Sequence, residues 1–182
     1  MSAPLVRTSK FLSYVLRHEP EALGLTLDPG GWADVDTLLK NAQAAGRLLD
    51  RPRLRAVLAH GENERFALSE DGSKIRAQYG HSIDVHLDRT PTSPPEALYH
   101  GTARKHLSTI RAEGLRPQSR QHVHLSSTRE AATRVGRRHG TPVVLTVDAQ
   151  GLDATGQALY RATEAVWLTG PVPPRFLQVP DA

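Results

Sequence analysis

The chain has 182 residues, enough for one large domain or two small ones, and its 38% apolar content with mixed charge describes a folded globular protein and excludes a disordered one. No cysteine is present, which excludes disulfides and thiolate metal sites, and no stretch approaches the roughly 20 apolar residues of a membrane span. With no N-terminal apolar signal segment, a cytoplasmic monomer without a membrane partner is expected.

The formal charge is +4, and only four of the 23 basic residues are Lys, leaving nineteen Arg. Guanidinium forks suit bidentate phosphate binding, and a GC-rich genome would give the same bias. The charge fits a nucleic-acid or nucleotide partner.

In chain order, Phe11, Leu12, Val15 and Leu16 share one face of a first helix that Pro20 cannot continue. DPGG at 28–31 predicts a turn. A second helix follows, with Val35, Leu38, Leu39 and Ala42 inward and Gly46 as its C-cap. Pro52 opens a third helix carrying Leu54, Val57 and Leu58, and Gly61 closes it. RFAL and SKIRAQY flank Glu70-Asp71-Gly72, a hairpin signal. Three helices and a hairpin outline a winged-helix-like lobe.

DRTPTSPPE at 88–96 interrupts any regular element and marks a junction between lobes of 1–90 and 91–182. Beyond it, the strand-like runs ALYHG, HVHLS, PVVLTV, AVWLT and FLQV alternate with two helices. One, near 103–113, buries Leu107 and Ile110 and ends at Gly114. The other opens on Ser127-Thr128-Arg129-Glu130, which reads as a capping box. The fold class is α+β.

Several residues suit an anionic ligand. Arg17-His18 ends the first helix, where cations also simply complement the macrodipole. Arg65 precedes an inward Phe66, so alternation aims it away from the core. His100 has a glycine neighbour, through which a ligand can approach the backbone. His122 and His124 share a strand face, but no further ligand stands at a recognisable metal spacing, so no metal is assigned. Arg137 and Arg138 sit in a helix's last turn before Gly140 as candidate phosphate contacts. No GxSxG, HExxH, P-loop or GxGxxG motif appears.

Taken in order, SKFLSYVLRH, the G-W segment after DPG, ERF, IRA-x-x-GHS, YHGT, RQHVHLS, VGRRHG-PVV and VWLT resemble the RNA 2′-phosphotransferase family over about Ser9 to Val179. The resemblance implies a winged-helix-like lobe joined to an ADP-ribosyltransferase-like lobe, with NAD consumed as co-substrate. It implies that an RNA 2′-phosphate first displaces nicotinamide, giving RNA 2′-phospho-ADP-ribose. The ribose 2″-hydroxyl then attacks the phosphorus, releasing 2′-OH RNA and ADP-ribose 1″,2″-cyclic phosphate.

By matching motif positions, the family's catalytic set falls on Arg17, His18, Arg65 and Arg120. The dinucleotide set falls on His100, Gly101, Thr102, His124, Ser126 and Val166, with Arg138 as a pyrophosphate contact. Val166 stands where many other ADP-ribosyltransferases keep a catalytic glutamate. Two departures stand out. Gln78-Tyr79 replaces the family's usual N-Q before GHS, and Ala162-Thr163-Glu164-Ala165 replaces its S-x-N segment. Glu164, two residues before Val166, shares a face with it if both lie on a strand. The competing expectations are an ADP-ribosyltransferase acting on nucleic-acid phosphate ends and a winged-helix nucleic-acid-binding regulator.

Overall fold

A computed structural model describes residues 2–60 and 64–180. The chain divides into two compact units, Met1–Asp88 and Arg89–Ala182, the division falling at the start of the proline-rich stretch. Both combine helices with an antiparallel sheet, so the chain is of mixed α+β class.

The first unit begins with helix α1 (Ala3–Arg17), whose Leu12, Val15 and Leu16 are buried. Phe11 is only partly buried and packs at the margin of that core. A 3-10 turn at Pro20–Leu23 follows, since proline supplies no amide for another α-helical turn. Strand β1 (Trp32–Asp34) leads into α2 (Val35–Ala44), where the Asp34 carboxylate accepts from the Thr37 amide as N-cap. Val35, Leu38, Leu39 and Ala42 all face inward. Gly46 lies two residues beyond α2 with φ +70°. Helix α3 (Arg51–Ala59) starts at an Asp50 cap with Pro52 in its first turn; Gly61, expected to close it, lies outside the described residues.

Strands β2 (Phe66–Leu68) and β3 (Lys74–Ala77) form the expected hairpin. The sheet has a third strand that the sequence reading lacked: β1 pairs antiparallel with β3, Trp32 opposite Arg76. A three-residue strand running straight into a helix cap is too short to show alternation.

The second unit is a six-stranded antiparallel sheet in the order β7-β8-β5-β4-β6-β9. Its strands are β4 (Ala97–Ala103), β5 (Val123–Ser126), β6 (Pro142–Asp148), β7 (Leu159–Arg161), β8 (Val166–Thr169) and β9 (Leu177–Gln178). Leu98, Leu125, Leu145, Val147 and Leu159 fill one core with α4 (Leu107–Glu113) and α6 (Ala149–Asp153). Helix α5 (Arg129–Gly136) lies against β4. A Cβ on Gly101 would stand 1.7 Å from the Ala132 carbonyl oxygen, and one on Gly136 would stand 2.7 Å from that of Thr102. Two glycines therefore let helix and strand backbones touch.

Two local expectations fail here. The N-cap of α5 is Thr128, whose hydroxyl accepts from the Ala131 amide. Ser127 instead donates to the Glu164 carbonyl at 2.5 Å, so it cannot head a capping box. Helix α5 also ends at Gly136, which leaves Arg137 and Arg138 in the turn beyond it.

Candidate functional site

In the first unit, Arg17 and His18 stand at the end of α1, and Arg65 meets the same helix earlier, at Ser9. Arg17 closes the helix and is only 9% exposed, so it does more than complement a dipole in solvent. Its guanidinium carbon lies 4.9 Å from the centre of the Tyr79 ring and 5.9 Å from that of Phe66, a cation–π stack on two sides. Gly80, with φ +88°, brings the chain past it: a Cβ there would meet Arg17 Nη1 at 3.4 Å.

The GHS turn is fastened to the same helix end. The Ser82 amide donates to the Arg17 carbonyl (3.0 Å), and the Ser82 hydroxyl lies 2.8 Å from His18 Nδ1. That contact fixes the orientation of the His18 ring. His81 is buried beside them. Arg65 is half-buried, and its Nη1 donates to Oγ of the buried Ser9 at 3.3 Å. The Gln78 side chain donates to the Glu64 carbonyl (2.8 Å) and its amide to that of Arg65, tying the strand to the turn.

Sequence reasoning thus named Arg17, His18 and Arg65 but missed three residues that hold them: Ser9, Tyr79 and Ser82. GHS was conspicuous as a motif. Nothing in the sequence pointed to Ser9.

In the second unit, register brings the candidates together. The β4–β5 pairing consists of one residue pair, Tyr99 opposite Ser126, and Ser126 in turn stands opposite Val166 on β8. Past Tyr99 the ladder stops, and the His100 imidazole spans the interval: its Nδ1 lies 3.0 Å from the His124 carbonyl oxygen. A carbonyl can only accept, so His100 carries its proton on Nδ1 and presents Nε2 as an acceptor. Burial, outweighing that hydrogen bond, holds the His100 pKa below the usual histidine range, with the nearby His139 adding to the depression. His124 Nδ1 likewise donates to the His122 carbonyl at 3.0 Å.

Thr102 and Ser126 are buried. The side of Gly101 that lacks a side chain is filled by α5, so its glycine is required by packing whatever approaches its amide.

Other expectations are placed differently. His122 precedes β5 and is not on the strand face with His124; its ring meets Tyr160 edge-on, centroids 6.0 Å apart. Burial and the charge of Arg89 depress its pKa. Glu164 lies in the bend before β8, so strand alternation does not align it with Val166. Its exposed carboxylate is 3.8 Å from Arg161. Arg120 and Arg138 are exposed, on the loop before β5 and the turn after α5. No contact brings Arg138 to His100, Ser126 or Val166 among the described residues. Those residues also contain no helix long and apolar enough to cross a membrane.

Comparison with known proteins places these motifs in context. Residues 3–170 match the family model described as RNA 2′-phosphotransferase, Tpt1 / KptA family. A protein of Agrobacterium fabrum is 56% identical over 172 residues, covering 94% of this chain and 92% of its own length. Proteins of Streptomyces coelicolor (50% identical, covering 96% and 95%) and Acaryochloris marina (48%, covering 97% of each) are similar throughout. Each of the three is named a probable RNA 2′-phosphotransferase.

Proposed function

The chain belongs to the RNA 2′-phosphotransferase family, a family of transferases, and from that premise we propose that it removes an internal RNA 2′-phosphate at the expense of NAD. The observation that carries this reading is the set of phosphate-suited and dinucleotide-suited groups at the family's motif positions, each held by its own local scaffold: Arg17 and His18 about the GHS turn, Arg65 on Ser9 of the same helix, and His100, His124 and Ser126 about the interrupted β4–β5 ladder.

The second unit suits a dinucleotide. A neutral His100 with an acceptor Nε2 takes a hydrogen bond from a ribose hydroxyl, and Thr102 and Ser126 offer hydroxyls of their own. Beyond Tyr99, β4 stays paired with β6 but not with β5, and that open β5 side is where an amide such as that of nicotinamide would meet the strand. When bound, NAD supplies an electrophilic ribose carbon with nicotinamide as its leaving group, and a neighbouring hydroxyl. Val166 offers no carboxylate, so no general base is drawn from that position.

Arg17, Arg65 and Arg120 are the guanidinium groups assigned to the 2′-phosphate oxygens. An anionic nucleophile arrives already deprotonated, so its attack needs orientation more than a base. Transfer through phosphorus then concentrates negative charge, where preorganised guanidinium groups are most effective. Tyr79 and Ser9 hold two of them in place before substrate arrives. His18, pivoted on Ser82, hydrogen-bonds the same phosphate and passes a proton toward the departing RNA 2′-oxygen. The winged-helix-like and ADP-ribosyltransferase-like descriptions of the two units belong to this same reading, as do a monomeric state and a cytoplasmic setting.

The test is a reaction of the protein with RNA carrying one internal 2′-phosphate, with and without NAD. One nicotinamide released per RNA restored to 2′-OH, and none without NAD, is the expected result. Phosphate loss that ignores NAD would sink the proposal. Accumulation of ADP-ribosylated RNA by the unaltered protein would favour the alternative, an ADP-ribosyltransferase of nucleic-acid phosphates.

A further inference from the structure

A second basic feature of the first unit stands apart from the residues used above. A cavity of about 260 Å³ opens between the start of α1 and the segment joining α2 to α3. Arg7, Arg47 and Arg53 line it, with Phe11 and Leu48, and no carboxylate does. Neither Arg7 nor Arg47 has an acidic partner within ion-pair distance among the described residues. Arg47 stacks over the Phe11 ring (5.1 Å), and Arg53 is steered by donating to the Leu48 carbonyl (2.7 Å).

The cavity is linked to the catalytic candidates by helix geometry. Arg7, Phe11, Tyr14 and His18 stand at i, i+4, i+7 and i+11, which is one stripe of α1 ending on its capping residue. That stripe is roughly 16 Å long at the α-helical rise, the reach of a few nucleotides. Midway along it Tyr14 is 50% exposed, an aromatic face with no packing duty on its outer side. On the far side of His18 the setting reverses. A cavity of about 630 Å³, which His18 and His86 also line, carries Glu19, Glu21, Asp84 and an Asp28 that is ion-paired with Lys74 (3.2 Å). A polyanion reaching His18 is therefore repelled from one side and drawn along the other.

We infer that the α1 stripe is a track for single-stranded RNA flanking the modified nucleotide, with backbone phosphates on Arg7, Arg47 and Arg53 and a base stacked on Tyr14. Positive groove and exposed aromatic platform are the two parts that sequence-tolerant single-strand binding requires. The inference rests on RNA being the substrate and extends it by naming the surface that holds the strand outside the reacting phosphate.

The experiment measures binding of a labelled ten-nucleotide single-stranded RNA lacking any 2′-phosphate, by fluorescence anisotropy over a range of salt. The full chain is compared with Arg7→Gln/Arg47→Gln, Arg47→Lys and Tyr14→Ala, each checked for native circular dichroism. Each lost phosphate contact removes about 0.7 from the slope of log affinity against log salt, so the double variant should lose about 1.4. Arg47→Lys keeps the charge and should keep the slope. Tyr14→Ala should weaken binding about fivefold or more at every salt concentration with its slope intact. An unaltered slope in the double variant overturns the inference, as does the absence of RNA binding by the full chain. Displacement of the RNA by polyglutamate as readily as by unlabelled RNA would also overturn it, by reducing the groove to charge alone. Loss of these effects while 2′-phosphate removal persists sinks only the track; binding through the groove without any NAD-dependent reaction sinks only the proposed activity.

Discussion

The two units hold their polar groups by different means. In the first, a helix end and a short turn are stitched by local side-chain contacts: Arg17 on Tyr79, His18 on Ser82, Arg65 on Ser9. In the second, strand register does the placing, lining up Tyr99, Ser126 and Val166 across three strands and leaving His100 to span an unpaired interval. The first arrangement rests on single side-chain contacts at the margin of a core that Leu12, Leu16, Leu38 and Phe66 build. The second depends on backbones that touch, so its site and its stability are harder to separate.

The largest expected effect exploits that contrast. Gly101→Ala drives a methyl group into the Ala132 carbonyl at 1.7 Å, and should cost the second unit more than about 4 kcal/mol in urea denaturation. Gly46→Ala in the first unit meets nothing within 4 Å and carries only the strain of φ +70°, about 1–2 kcal/mol. Equal costs would erase the distinction. Next, Arg17→Ala or Arg65→Ala should slow phosphate removal by about 10²–10³, the scale of losing one preorganised donor, as read in single-turnover reactions. Arg65→Ala should leave the unfolding midpoint nearly unchanged, since only one long hydrogen bond to Ser9 is lost.

His100→Ala should raise KM for NAD about tenfold, the worth of one hydrogen bond of roughly 1.4 kcal/mol, with RNA affinity unaffected in direct binding measurements. The smallest effect is on stability against pH. His100 and His122 have depressed pKa values in the folded chain, so the unfolded chain binds more protons once pH falls below the ordinary histidine value of about 6.5. Thermal midpoints should therefore drop on acidification from pH 7 toward 5, and less so in a His100→Gln/His122→Gln variant. Asp71, held down at about 2 by the hydroxyls of Ser69 and Ser73 and the Ser73 amide, contributes stability that is present in full above about pH 4 and is lost only as pH falls from there toward 2, outside that window.

Much of this architecture was legible where the determining contacts are local. The inward faces of α1 and α2, the Gly72 hairpin and the strand runs of the second half all follow from periodicity and turn chemistry. Strand β1 was not, because its three residues acquire meaning only through pairing with β3, some 42 residues later at Ala33 and Ile75. Sheet order in the second unit is equally non-local. At the α5 cap two adjacent hydroxyls competed, and the Glu164 carbonyl, 37 residues away, decided between them. Among the site candidates, Arg17, His18, His100 and His124 came from the family resemblance of the motifs that hold them. The residues that orient them, Ser9, Tyr79 and Ser82, act through tertiary contacts that spacing does not encode.

The division of labour between the units is tested most directly by rapid-quench single turnovers with NAD and RNA bearing one 2′-phosphate, following nicotinamide and phosphorus separately. Arg65→Ala should slow release of 2′-OH RNA far more than release of nicotinamide, so that ADP-ribosylated RNA accumulates, whereas His124→Ala should slow nicotinamide release. Wild-type rates for the phosphorus step in Arg65→Ala, or parallel slowing of both steps by either substitution, would contradict it.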